Sequence, residues 1–403
     1  MLGRFSLYGF LKNQTYYEPF LLLVFLEKGL SFFQIGLLIA FRELAVTVME
    51  VPSGALADSH GRRLSMAASM AGYIVSFLAF SFSSSVFILF IAMFFFAIGD
   101  AFRTGTHKAM IFKWLENQGR LDEKTRVYGI TRSWSKAGTA LSSVIAAALV
   151  WRSGTYSTVF LFCIPPYLIN LVNLLSYPKN LEGEEAHGGK SLRNTITLMK
   201  SSVSDCLKFK PLRNLIGETM GFEGIHKVTS DYIQPVIRTL ALAVPLLAGL
   251  HGDRGPAVVA GSVYFVLALL GMFGSRFSHR LVSRAGSDTR SAGFLWAADV
   301  VCYLALVPLL IFGLFLWAVI VFIVLELIQN LWRPMQLSRF DHVSPGNRRA
   351  TVLSIESQAK SLSAMVYAPL LGLAVDHLGL WTVGAAGAVA AFGVMMYRRR
   401  ALG

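Results

Sequence analysis

Twelve apolar stretches, each close to the length that crosses a lipid bilayer, succeed one another along the 403-residue chain. They run roughly over residues 5–27, 31–57, 64–83, 86–115, 126–151, 156–177, 213–240, 256–279, 290–312, 314–338, 350–375 and 378–397. A water-soluble domain has no interior large enough to hide so much apolar surface. Only 15% of residues are charged, against about 25% in soluble domains, and mean hydropathy is +0.56. The pattern predicts an all-α membrane protein with 12 transmembrane helices.

A formal net charge of +14 could point to nucleic acid, but the basic residues are segregated. Of 37 Lys and Arg, 23 fall at one set of ends and loops, among them Arg62, Arg63, Arg120, seven residues within 179–213, and Arg398 to Arg400. Only Lys28, Arg152, Arg238 and Arg254 fall on the other side. That bias is the positive-inside rule. With an even number of spans it predicts an inner (cytoplasmic) membrane protein with both termini cytoplasmic, partnered by the lipid bilayer and not by nucleic acid. Cys163, Cys206 and Cys302 show no ligand-like spacing, so neither a disulfide nor a metal site is expected, and Cys206 is assigned to a cytoplasmic loop.

The organisation expected is an N-terminal six-helix bundle over 1–178, a cytoplasmic linker over 179–211 and a C-terminal six-helix bundle over 212–403. Within the linker, Leu192, Ile196, Met199, Val203 and Leu207 recur at helical spacing, which suits an amphipathic helix on the membrane surface or a partly ordered linker. The halves echo each other. Arg132 to Lys136 in the fifth stretch parallels Glu356 to Lys360 in the eleventh, and Tyr17-Glu18-Pro19 parallels Ile233-Gln234-Pro235. Such repeats around a linker suit transporters that hold substrate between their halves.

Between the second and third stretches lies Glu50-Val-Pro-Ser-Gly-Ala-Leu-Ala-Asp58-Ser-His-Gly61-Arg-Arg63. Gly54 would let two helices approach closely, Gly61 would permit a sharp reversal, and Arg62 and Arg63 would hold the turn at the cytoplasmic face. Gly54, Asp58, Gly61, Arg62 and Arg63 resemble the loop signature of the major facilitator superfamily, with Ser59 where that family usually carries a basic residue. Arg349-Ala-Thr-Val-Leu-Ser354 resembles the matching segment of its bacterial drug and metabolite transporters. The Gly-Pro-Gly-Gly type pattern of drug/proton antiporters is missing from 138–147, which weakens assignment to drug antiport. The resemblance implies two pseudo-symmetric bundles and a cavity lined by the first, fourth, seventh and tenth helices.

An ionisable side chain at membrane depth costs at least about 2.5–3.5 kcal/mol on insertion scales, so each one in a span is a functional candidate. Candidates for the substrate cavity and coupling are Tyr16, Tyr17 and Glu18 on the first helix, whose polar face also offers Lys12 and Asn13, and Asp100, Arg103, His107 and Lys108 on the fourth. Glu223, His226, Lys227 and Asp231 follow on the seventh, and Glu326 and Arg333 on the tenth. Glu18 is the first choice for coupling, on the expectation that it is buried. Glu223, Lys227 and Asp231, spaced four apart, would share one helical face, where Glu223 and Lys227 either bind substrate or neutralise each other. Asp100, Arg103 and His107 would share another. Arg42, Arg132, Lys136, Glu356 and Lys360, with the Gly54–Arg63 loop, are expected to form the conformational gate through salt bridges between halves. Asp58 would face the start of the eleventh helix near 350–353. Asp299, alone in its span, has no assignable role.

The chain has no phosphate-cradling Gly-Lys-Ser/Thr loop, no cofactor motif and no loop large enough for an enzyme domain, so it is not expected to be an enzyme or to carry a cofactor. The expected function is secondary transport of a small polar or amphipathic molecule by a monomer, through alternating access, as proton-coupled export. Uptake of an anionic or zwitterionic nutrient is the alternative, and a non-transporting membrane receptor the third reading.

Overall fold

A computed structural model describes residues 1–181, 206, 208–244, 252–344 and 349–402. The described residues form fifteen α-helices joined by turns. They are α1 (Leu2–Lys12), α2 (Leu21–Glu27), α3 (Phe32–His60), α4 (Arg62–Phe82), α5 (Val86–Arg103), α6 (Thr106–Asn117), α7 (Lys124–Ser153) and α8 (Thr158–Leu175). They continue with α9 (Lys210–Thr229), α10 (Ile233–Ala243), α11 (Arg254–Ala285), α12 (Asp288–Ile311), α13 (Phe315–Val343), α14 (Arg349–Leu378) and α15 (Thr382–Leu402). Among the described residues, eight helical segments are long and apolar enough to cross a membrane. The all-α membrane architecture read from the sequence stands. Other expected spans are broken, as at 5–27 and 213–240, or carry charge, as does α7 with Arg132 and Lys136.

These breaks correct the sequence reading and have local causes. Between α1 and α2 the Asn13 and Gln14 amides donate to the Gly9 and Phe10 carbonyls, at 2.6 and 3.2 Å. Side chains thus take over acceptors that a continuing helix would use. Pro19, in the 3₁₀ turn Glu18–Phe20, has no N–H to give. The seventh expected helix breaks likewise at the 3₁₀ turn Ser230–Tyr232, just before Pro235. Both breaks fall where the sequence echoes itself. A third separates α5 from α6 at Thr104–Gly105, where Gly105 has φ +76°.

Two compact units result: Met1–Phe20 with Phe41–Ile196 and Gly252–Phe265, and Leu21–Ala40 with Thr197–His251 and Val266–Gly403. In the first, α1 lies against α7 and α8, and α4 against α5 and α8. An aromatic cluster fills its interior. Tyr17 stacks on Phe160 at 5.4 Å, and Phe77 meets Phe96 and Tyr167 edge-on. In the second unit α9 packs on α14 and α15, and α12 on α13 and α15. Cys206 is buried there with Leu212, Leu215, Phe340 and Val352, and is not in a solvated loop. The expected amphipathic helix falls on 182–205 and 207, outside the described residues.

The turn at Gly61 is as tight as expected. With φ +94°, a single residue separates α3 from α4, so the expected loop is helical as far as His60. Arg63 Nη1 donates to the Leu175 and Tyr177 carbonyls at the end of α8, both at 3.3 Å. Gly54 departs from expectation: among the described residues a Cβ there would meet nothing within 4 Å. Close approach occurs instead in the second unit, where Gly36 abuts the Ala368 carbonyl and Gly372 the Phe32 carbonyl. A Cβ at either would overlap backbone, which cannot swing aside. Gly36→Val is therefore expected to destabilise the fold by about 1–3 kcal/mol, read as a lower thermal unfolding midpoint, whereas Gly54→Ala leaves the midpoint unchanged.

Candidate functional site

Helix α5 ends in Asp100 and Arg103, and their partners come from three helices. Asp100 Oδ2 accepts from Arg42 Nε and Nη2 at 3.0 and 2.6 Å. Its Oδ1 accepts from the Tyr73 hydroxyl at 2.5 Å and from Arg103 Nη2 at 3.3 Å. Arg42 also lies 4.7 Å from the centre of the Phe96 ring. One carboxylate thus binds two guanidiniums within the first unit, and the charge of the buried Glu43 acts on Arg42 as well. Arg42, expected to bridge the halves, makes its ion pair here instead.

Beside this cluster lies a pocket of about 170 Å³, lined by Tyr8, Gly9 and Lys12 of α1, Arg103 of α5, His107 and Lys108 of α6, and Tyr128, Thr131, Arg132 and Ser135 of α7. Among the described residues, four cationic side chains face it and no carboxylate does. Lys108 Nζ also lies 5.5 Å from the rings of Phe112 and Tyr128. His107 stacks on Tyr8 at 3.9 Å, and its Nε2 is buried with no hydrogen-bond partner. The expected shared face of Asp100, Arg103 and His107 is interrupted at Gly105. Arg103 and His107 nevertheless reach one pocket from two helices. Gly9 and Gly138 admit the close contact of α1 with α7 that brings Lys12 and Arg132 together there.

Other candidates fall elsewhere. Tyr16 is buried, and Tyr17 belongs to the aromatic interior. Glu18 is exposed and accepts from the Thr15 hydroxyl at 2.7 Å, so the burial expected of it is missing. The Asp58 side chain and residues 345–348 lie outside what the structure describes, as does the contact expected between Asp58 and α14. Lys136 lies near enough to Lys12 for their charges to repel. Arg62 opens α4.

The second unit holds its own charge network. Glu223 Oε1 accepts from Arg333 Nη1 at 2.8 Å, and Oε2 from Lys360 Nζ at 3.0 Å. Arg333 also grips Glu356 with both terminal nitrogens. Glu223 is therefore paired across helices, not with Lys227 four residues on. Asp231 lies in the 3₁₀ turn, off the face expected for it. Glu356 and Lys360, expected to bridge the halves, make these ion pairs inside one unit. His226 Nε2 meets Glu326 Oε2 at 2.8 Å, and Asn330 Nδ2 donates to Glu326 Oε1 at 3.0 Å.

The family model of the Major Facilitator Superfamily matches residues 13–368. The chain belongs to that superfamily. As a member it is a multi-pass membrane protein. It is 25% identical over 230 residues to the uncharacterized MFS-type transporter YxaM of Bacillus subtilis (strain 168). That match covers 56% of each chain, so this chain spans about half the length of the curated relative. The fold resembles the crystal structure of the nucleoside transporter NupG, with TM-score 0.75 and 12% identity over 98% of this chain and 97% of that one. It also resembles a POT family transporter in complex with 5-aminolevulinic acid, with TM-score 0.73 and 15% identity over 99% and 96% of the two chains.

Tyr8 and Tyr73 are site residues that the candidate set missed, whereas Lys12 is already offered on the polar face of the first stretch. The tyrosines carry no signal in sequence that separates them from core residues. If Asp100 holds Arg42 and Arg103 in place, Asp100→Asn leaves two partly buried guanidiniums short of charge. A loss of about 1–3 kcal/mol in stability is expected, seen as a lower unfolding midpoint in detergent, with partial recovery in the double variant Asp100→Asn/Arg42→Gln.

Proposed function

We propose that the transporter moves a small organic molecule bearing an anionic group, and that this group binds between Lys12, Arg103, Lys108 and Arg132. The observation that carries this reading is the pocket with four cations and no carboxylate. Gathering like charge at membrane depth is unfavourable unless a counter-charge arrives, and a substrate carboxylate or phosphate supplies it. Arg103, held by Asp100 and Tyr73, presents its remaining N–H groups in a fixed fork. Tyr8 and Tyr128 offer hydroxyl donors or ring faces to the rest of the molecule. This favours the anionic or zwitterionic class over a neutral or cationic drug. A small carboxylate bound by a structural neighbour, 5-aminolevulinic acid, is of the same chemical kind.

Transport by alternating access follows from this reading, because the site needs access to each side in turn. Both termini are assigned to the cytoplasmic side of the inner membrane on the segregation of Lys and Arg.

The test is a thermal-shift screen of purified protein against organic anions, zwitterions, nucleosides and cations. Anions and zwitterions are expected to raise the unfolding midpoint, with about 2.7 kcal/mol of stabilisation at a hundred times Kd. Lys12→Met or Arg103→Gln is expected to weaken the response by about 1.5–3 kcal/mol, roughly tenfold to 150-fold in Kd. Stabilisation by cations alone, or an anion response indifferent to both substitutions, would overturn the reading.

A further inference from the structure

The four cations of the anion pocket are not equally balanced. Arg103 pairs with Asp100, and although Arg42 shares that carboxylate, the charge of the buried Glu43 acts on Arg42 too. Arg103 therefore brings a counter-charge with it. Lys12, Lys108 and Arg132 do not, since none of the three forms an ion pair among the described residues. Asp100 and Glu18 act on Lys12 from beyond ion-pair distance, and Arg103 and Lys136 act against them. Lys108 lies 5.5 Å from the rings of Phe112 and Tyr128, whose faces favour a cation without supplying net negative charge. The four also stand at two depths. Lys12 of α1 and Arg103 of α5 are half-buried, whereas Lys108 of α6 and Arg132 of α7 are exposed. The space among them is small. Its volume of about 170 Å³ equals that of about six waters in the liquid, well under the range of about 300–1,000 Å³ for drug-sized ligands.

We propose that the ligand of this pocket is a compact dicarboxylate, one carboxylate held by Lys12 and Arg103 and the other by Lys108 and Arg132. This rests on the anion reading above and names the class of anion. A single carboxylate would leave two of the three unbalanced cations crowded together, whereas a pair leaves one. The inner pair suits a planar group, because Asp100 and Tyr73 fix the guanidinium of Arg103 and leave N–H groups free for two parallel hydrogen bonds. The outer pair meets water, so the second carboxylate needs less desolvation than the first. A phosphate gathers its two charges on one centre and serves one pair at a time. Cations at two depths, drawn from four helices, favour two anionic groups joined by a short spacer.

The test uses purified protein in detergent at constant ionic strength, titrated calorimetrically with succinate, its monoamide succinamate, butyrate and inorganic phosphate. The three organic probes are close in size and differ in charge at one end. Succinate is expected to bind at least about tenfold tighter than succinamate or butyrate. In Lys108→Met/Arg132→Gln that preference is expected to fall to about threefold or less. Equal binding of succinate and succinamate by the wild-type protein would overturn the dicarboxylate and leave the anion reading standing. A preference that survives in the double variant would do the same, by placing the second carboxylate elsewhere. Should the double variant fail to fold, the wild-type comparison decides alone. Binding of phosphate but not succinate would also overturn the proposal, in favour of one doubly charged group. If no probe binds while a larger anion raises the unfolding midpoint, the class is wrong and the anion reading holds. If no anion of any kind binds, both fall.

Discussion

Charge inside a membrane bundle has nowhere to hide, and that constraint orders this molecule. Each ionisable side chain at depth must find an opposite charge, a hydrogen-bond partner or water, because lipid offers none. Asp100 satisfies two arginines at once. Glu223 is held by Arg333 and Lys360, and Arg333 in turn by Glu356. With these pairs set, four cations of the first unit line one small pocket, and in the second unit Glu326 meets His226 and Asn330. Ion pairs of this kind contribute little net stability, since desolvation offsets most of the attraction. Their value lies in fixing which charges are left over.

Much of the architecture was legible in the sequence because apolar runs of membrane length admit few alternatives. The family could be read from Gly54 to Arg63, and the reversal at Gly61 needed only its missing Cβ. Gly54 shows the limit of such reading. The same residue type, two turns back on a helix, meets open space, while Gly36 and Gly372 make the contact instead. Helix breaks were also hidden. Averaged over a window, Asn13 and Gln14 hardly dent the hydropathy of 5–27, yet their amides end the helix by binding its carbonyls.

Pairing was the least legible feature. Spacing along one helix suggested Glu223 with Lys227, but side chains four apart compete with neighbours on other helices that sequence does not place. Arg333 lies 110 residues from Glu223 and Lys360 lies 137 away. Asp299 had no partner at any local spacing and so had no role to suggest. The echo between the halves fared better. The first echo ending in proline overlaps a 3₁₀ turn and the second directly follows one, so the repeat extends to backbone irregularity.

One contact in the second unit has a consequence for how the chain tolerates change. The Asp376 carboxylate accepts from the backbone N–H groups of Phe32 and Phe33, at 2.9 and 2.8 Å, at the start of α3. A carboxylate at a helix N-terminus meets donors that every residue except proline possesses. With Gly36 and Gly372 pressed against carbonyls nearby, the seam between α3 and α14 is written largely in main-chain atoms. The side chains at 32 and 33 take no part in these two hydrogen bonds, and Phe32 is left to stack on Tyr232. Position 376 and the two glycines are where a side-chain change would meet that main-chain seam.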